Sequence, residues 1–151
     1  MLGRLSRPAE FEAVLATPIK ARSAHFAAHH LPHSPRRYSR PKTRRRVAEL
    51  STVDSDGCAQ AVDDPHDSAL EGWWIAVVVP KRHARRATTR NLLRREVRSA
   101  LMRHHPRLSR GMWLVRLRSA FDSVAFEAAT SAALRGAARA ELDALLTRAA
   151  A

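Results

Sequence analysis

The sequence predicts an α+β fold with helices packed on one sheet. The run Trp73-Trp74-Ile75-Ala76-Val77-Val78-Val79 is aromatic and β-branched and stops at Pro80, which marks a strand. A second strand-like run, Met112 to Arg118, lies between two long stretches with helical spacing of apolar residues. The resulting order of helix, strand, strand, helix, strand, helix is too irregular for a repeating βα chain and fits an α+β domain.

Taken in order, Pro8 to about Ala16 is a short helix: Pro8 suits a first turn, and Phe11, Val14 and Leu15 fall at i, i+3, i+4. Ala24 to Leu31 reads as a strand of weak propensity. After the Trp73 strand, a helix runs from about Thr88 to His104, with Thr88 or Thr89 as N-cap and Pro106 beyond its end. Gly111 introduces the Met112 strand. An alanine-rich helical region spans about Ser123 to Ala149, with a break expected at Gly136.

Charge sets the class of partner. The 151 residues carry a formal net charge of +13, and 45% of them are apolar, enough for a core. A balance this basic points to a polyanion, nucleic acid before membrane. The charge is blocked rather than scattered. Arg36 to Arg46 holds seven cations and no acid, Glu49 to Glu71 holds seven acids and no Lys or Arg, and Lys81 to Arg107 holds ten cations against Glu96 alone. One domain, 1–151, is expected, with a mobile charged insertion at 33–70. Three readings of the insertion stay open: a solvated linker, a basic half that touches RNA, or an acidic half that folds back on the basic surface.

The single cysteine, Cys58, rules out an internal disulfide. No apolar run reaches the length of a signal peptide or a membrane span, so the cytoplasm is the expected location, with no membrane partner.

The most informative segment is Lys81 to Arg98. On a helix, Leu93, Val97, Ala100 and Leu101 form one apolar stripe, and Arg90, Arg94 and Arg98 recur at i, i+4, i+8 on another face. Guanidiniums one turn apart repel each other, and phosphates relieve that repulsion through bidentate contacts. A solvated helix face is normally mixed in charge; here only Glu96 offsets the arginines.

A strand, then Lys81-Arg82, a short basic loop with Arg85-Arg86-Ala87, and then Arg90-Asn91, Arg94 and Arg95 opening an arginine-rich helix resembles the signature of the bacterial ribonuclease P protein family. The sequence departs from it at Leu92, where an arginine is usual, and at Trp74, where a basic residue often stands. Arg4-Leu5 with Phe11 to Leu15, His25 to His29, and Trp113 to Arg118 also resemble family segments. The resemblance covers about 110 residues and skips the insertion.

The resemblance implies a two-layer sandwich with an about four-stranded sheet, in the order α-β-β-β-α-β-α, and a left-handed βαβ crossover. This is the fold type named for the second domain of a small-subunit ribosomal protein. It implies the protein subunit of an endoribonuclease, with partners in the catalytic RNA subunit and precursor tRNA and no obligate protein partner. Cleavage and Mg²⁺ binding belong to the RNA subunit, so neither catalytic residues nor a protein metal site are expected. Arg85, Arg86, Arg90, Asn91, Arg94, Arg95 and Arg98 would hold the RNA subunit. Phe11, Leu15, Phe26 and His29 would line a cleft for the 5′ leader, with Lys81 and Arg82 near its rim. Plain core packing is an equal reading for Phe11 and Phe26, and Asn91 has a second reading as a residue bonding its own backbone. The eight histidines form no metal-ligand set with nearby carboxylates. The competing class is a basic ribosome-associated or other nucleic-acid-binding module with no part in cleavage.

Overall fold

The computed structural model describes residues 2–35, 72–122, 125–126 and 131–151. Apart from residues 33–35, the insertion and its three readings lie outside them, as does Cys58. The elements are β1 (Leu2–Arg4), α1 (Pro8–Leu15), β2 (Ile19–Arg22), β3 (Phe26–Leu31), β4 (Trp73–Val78), α2 (Ala87–His104), β5 (Gly111–Leu117) and α3 (Ala132–Ala150). Among the described residues the sheet is mixed and five-stranded, in the order β1-β4-β5-β3-β2. β1, β4 and β5 run parallel, and β3 is antiparallel to both β5 and β2.

The expected count of about four strands is therefore corrected to five. The additional strand is β1, which pairs Leu2, Gly3 and Arg4 with Trp73, Trp74 and Ile75. Three residues carry no readable alternation; the strand exists because β4 offers it an edge.

Alternation along β4 and β5 sorts side chains to two faces. Trp113, Val115 and Leu117, with Phe26 and Ala28 of β3, face α2 and α3 and make the main core with Leu93, Val97, Leu101, Leu142, Leu145 and Leu146. Met112, Leu114 and Ala76 face the other way, where Leu5 and Val14 cover them and Phe11 and Trp74 pack at the margin. The sheet and the α2–α3 pair form the two layers, and α1 lies across the opposite face.

Local chemistry fixes the element ends. The Glu10 carboxylate accepts the Ser6 and Arg7 amides at 3.2 Å each, closing the start of α1 around Pro8. The N-cap of α2 is Arg86, not Thr88 or Thr89, and no side chain caps it. α3 is capped by Ser131, whose hydroxyl accepts the Leu134 amide at 3.0 Å, and it runs unbroken through Gly136. Gly136 is exposed, with nothing within 4 Å of where a Cβ would sit. Gly111 is different: its φ is +128°, and a Cβ there would lie 2.5 Å from the Leu31 carbonyl, so only glycine lets β5 start beside the end of β3.

α3 is tied to the β2–β3 hairpin by one carboxylate. Glu141 accepts the Ser23 hydroxyl at 2.5 Å, the His25 amide at 2.6 Å and the His25 ring Nδ1–H at 2.7 Å. Burial pushes its carboxyl up, but these three bonds outweigh burial and hold it below the ordinary value.

Candidate nucleic-acid interface

The basic segment begins where β4 ends. Pro80 stops the strand, and its carbonyl accepts the amides of His83 and Ala84 at 3.1 and 3.2 Å, which turns the chain. Ala84 is buried and pins the loop to the core, leaving Lys81, Arg82, Arg85 and Arg86 exposed. The Arg82 Nε–H donates to His83 Nε2 at 3.0 Å.

Arg90 has a structural task as well as a charge. Its guanidinium donates to the carbonyls of Ala84 at 3.0 Å and Arg85 at 2.7 Å, bracing the loop against the first turn of α2. Asn91 is exposed, and its side chain makes no hydrogen bond among the described residues, so its reading as a backbone cap does not hold. Arg95 and Arg98 are exposed and Arg94 is half-buried; none of the three has an ion-pair partner among the described residues.

Leu92 and Glu96 explain why no acid of α2 faces the stripe. Both lie on the buried side of α2. Leu92 is 2% exposed within the main core and belongs to the helix packing. Glu96, the one acid of the segment, points to α3, with its carboxylate 3.8 Å from the Arg135 Nε. The stripe of Arg90, Arg94 and Arg98, spaced about 6 Å apart along the helix, therefore has no acid beside it on its own element.

The α1 side of the sheet carries three of the residues expected to line a cleft, Phe11, Leu15 and His29. Phe11 is half-buried and Leu15 is 38% exposed. His29 faces α1 but is 3% exposed, and its Nδ1–H donates to the Thr17 carbonyl at 3.0 Å. Burial lowers its pKa, and the nearby Arg116 charge lowers it further, against the opposing effect of the Thr17 bond. The ring is thus neutral at pH 7, its Nε2 meets no hydrogen-bond partner among the described residues, and it has no open face for a base. Phe26 must be moved: it is fully buried on the α2–α3 face, against Phe121 at a centroid distance of 5.9 Å. Its position in β3 is one residue out of phase with the α1 face, and the core reading applies to it.

Two cations on the α1 side escaped the sequence reading. Arg116 alternates with Met112 and Leu114 and so shares their face, and Arg22 lies opposite Ala27, which also pairs with Arg116. The Arg116 Nε is buried and has no hydrogen-bond partner among the described residues. An arginine in phase with the core positions of an otherwise apolar strand was the signal available in the sequence.

A cavity of about 310 Å³ joins the two regions at the edge of β4. Arg4, Leu5, Phe11, Ile75, Val77 and Arg98 are among its walls. It brings together Phe11 of the expected cleft and Arg98 of the arginine stripe. Leu15, His29, Lys81 and Arg82 do not line it. Among the described residues, no group of three or more His, Cys, Asp or Glu is placed to hold a metal ion, and no helix is long and apolar enough to cross a membrane.

Comparison with known proteins places the chain in a family. The sequence model of the family described as "Ribonuclease P" matches residues 2–141. The chain is 33% identical over 145 residues to proteins named "Ribonuclease P protein component" from Bordetella parapertussis and Bordetella bronchiseptica, covering 96% of this chain and 89% of each relative. A protein of the same name from Paraburkholderia xenovorans is 42% identical over 78 residues, covering 50% of this chain and 55% of the relative.

Proposed function

Because the chain belongs to the ribonuclease P protein family, we propose that it is the protein subunit of ribonuclease P and supports removal of the 5′ leader from precursor tRNA. The observation that carries this reading is the arginine face of α2, which meets no acid among the described residues because the only acid of the helix, Glu96, is turned to α3. Arg85, Arg86, Arg94, Arg95 and Arg98, with Asn91, bind the RNA subunit through its phosphates. Arg90 adds charge while holding the loop that presents Arg85 and Arg86.

The leader lies on the α1 side. Phe11 and Leu15 offer apolar surface to unpaired bases, while Arg22, Arg116, Lys81 and Arg82 track the backbone. His29 supports this surface by anchoring the Thr17 turn and does not itself stack on a base. The crossover from β4 through α2 to β5 takes the left-handed sense within this reading. The chain contributes binding and orientation, and phosphodiester cleavage with its Mg²⁺ belongs to the RNA subunit.

The test is substrate preference. The full chain, reconstituted with bacterial ribonuclease P RNA, is expected to bind precursor tRNA more tightly than mature tRNA. Equal affinities for the two would remove the leader site from the protein.

A further inference from the structure

β3 carries a histidine where its neighbours on the α1 face are apolar. Ala27, His29 and Leu31 alternate onto that face, opposite Arg116, Leu114 and Met112 of β5. An apolar side chain at 29 would be buried there at no polar cost, so packing does not account for the ring. Its Nδ1 meets the Thr17 carbonyl at 3.0 Å. A carbonyl only accepts, so Nδ1 carries the proton and Nε2 is the bare nitrogen. Thr17 itself is bound back to α1: its amide and its hydroxyl both donate to the Val14 carbonyl, at 3.1 and 2.6 Å. The His29 ring is therefore a hydrogen-bonded tie between the turn after α1 and the sheet.

The surroundings of the ring are hostile to a second proton. His29 is 3% exposed, and its Nε2 and the Arg116 Nε are both buried without a hydrogen-bond partner among the described residues. Arg116 lies diagonally across the β3–β5 pair, and its charge reaches the ring. No carboxylate of the packed elements answers it. On α1, Glu10 is taken by the Ser6 and Arg7 amides at the opposite end of the helix, and Glu12 is exposed. β2 brings two further cations, Lys20 and Arg22, and β4 has no titratable side chain. His30 turns to the other face, against Trp113. Burial first, with Arg116 adding to it, holds His29 below the ordinary histidine value against the opposing effect of the Thr17 bond. A proton on Nε2 would leave a buried cation beside Arg116 and an N–H with no acceptor. Moving the ring into water removes both penalties and breaks the Thr17 bond.

We propose that His29 is a proton-released latch. The uncharged ring holds the turn after α1 on the sheet through Thr17; the charged ring leaves its site, and the turn comes off the sheet with it. A released histidine takes up its proton more readily than the docked one, so docking is complete above the ordinary value of 6.5 and weakens as pH falls below it. Leu15 is the last residue of α1, so release also displaces it from the surface assigned to the leader. That consequence rests on the RNA-binding reading; the latch itself does not.

The test is amide hydrogen exchange on the full chain at about pH 7.5 and about pH 5.5, corrected for the intrinsic pH dependence of exchange. The Ala16 and Thr17 amides donate to the Glu12 and Val14 carbonyls. Their protection is expected to fall several-fold at the lower pH, by no more than about tenfold per pH unit, the limit for one proton. The amides of α3 are expected to keep theirs. His29→Gln retains a donor for the Thr17 carbonyl but takes up no proton, so the fall should vanish. If that variant does not fold, Arg116→Gln should reduce the fall, because it removes the neighbouring charge. Equal protection at the two pH values overturns the proposal, as does a fall of the same size in α3, which is general acid unfolding. A fall that persists undiminished in the variant tested assigns the titration to another group and overturns it too.

Discussion

Phe11 and Phe26 separate binding from packing most sharply. Phe26 is fully buried between the sheet and the long helices, with Phe121 tilted against it. Phe26→Ala deletes a phenyl from a site with no solvent to fill it, and such truncations cost about 3–5 kcal/mol. For a chain of this size each kcal/mol lowers the melting temperature by about 2–4 °C, so a drop of roughly 6–20 °C is expected. Phe11 is half-buried at the margin of the smaller core. Its truncation costs less stability, on the order of 1–2 kcal/mol, but removes a stacking surface worth about 1–3 kcal/mol per base, or roughly 5- to 150-fold in affinity. The assay pairs thermal melting of the free chain with the precursor-to-mature affinity ratio of the reconstituted enzyme, read where both variants are folded. Phe11→Ala is expected to lower the ratio with a modest melting shift, and Phe26→Ala to lower the melting temperature with the ratio intact. A ratio lost equally in folded Phe26→Ala protein would refute the assignment of Phe26 to the core.

Arg94→Ala is expected to weaken RNA-subunit binding and reduce the salt slope by about 0.9, one phosphate contact; an unchanged slope would leave Arg94 in solvent. Arg90→Ala acts through the loop it braces, so hydrogen exchange at the His83 and Ala84 amides should speed up, and unchanged exchange would deny the brace. Glu141 has a lowered folded pKa, so its contribution to stability is complete above its ordinary value of 4.5 and is lost as pH falls through the lower folded value. Glu141→Gln should therefore destabilise the protein at pH 7 and flatten the acid limb of its stability curve, and an unaltered limb would contradict the anchoring of α3 through this carboxylate. Gly3→Ala would set a Cβ 2.5 Å from the Trp74 indole and should cost about 1–3 kcal/mol in chemical denaturation, with no loss expected only if the indole can swing away.

The sequence was legible where pattern and burial coincide. α2 follows its helical period, β4 and β5 are continuous apolar runs covered on both faces, and the structure places the ends of all three within a residue or two of the expected bounds. β1 and β2 were harder. Leu2–Arg4 and Ile19–Arg22 are short strands rich in cations, held by pairing to a neighbour rather than by an apolar face. The phase of β3 was hidden for a related reason: in Phe-Ala-Ala-His-His-Leu small residues fit either face, so only the paired strand shows that Phe26 faces α3 and His29 faces α1. At the interface, the i, i+4, i+8 arginines could be read directly, because helical spacing alone sets their face. The tie of Arg90 to the loop, the turn of Glu96 to α3 and the meeting of Arg98 with Phe11 depend on tertiary placement, which no local pattern contains.

The most direct measurement is leader removal itself. The full chain is mixed with bacterial ribonuclease P RNA and a precursor tRNA at a Mg²⁺ concentration too low for the RNA to work efficiently alone. The account predicts a faster release of the 5′ leader on adding the chain, reduced when Arg94 and Arg95 are both replaced by alanine. The same rate with and without the chain would contradict it.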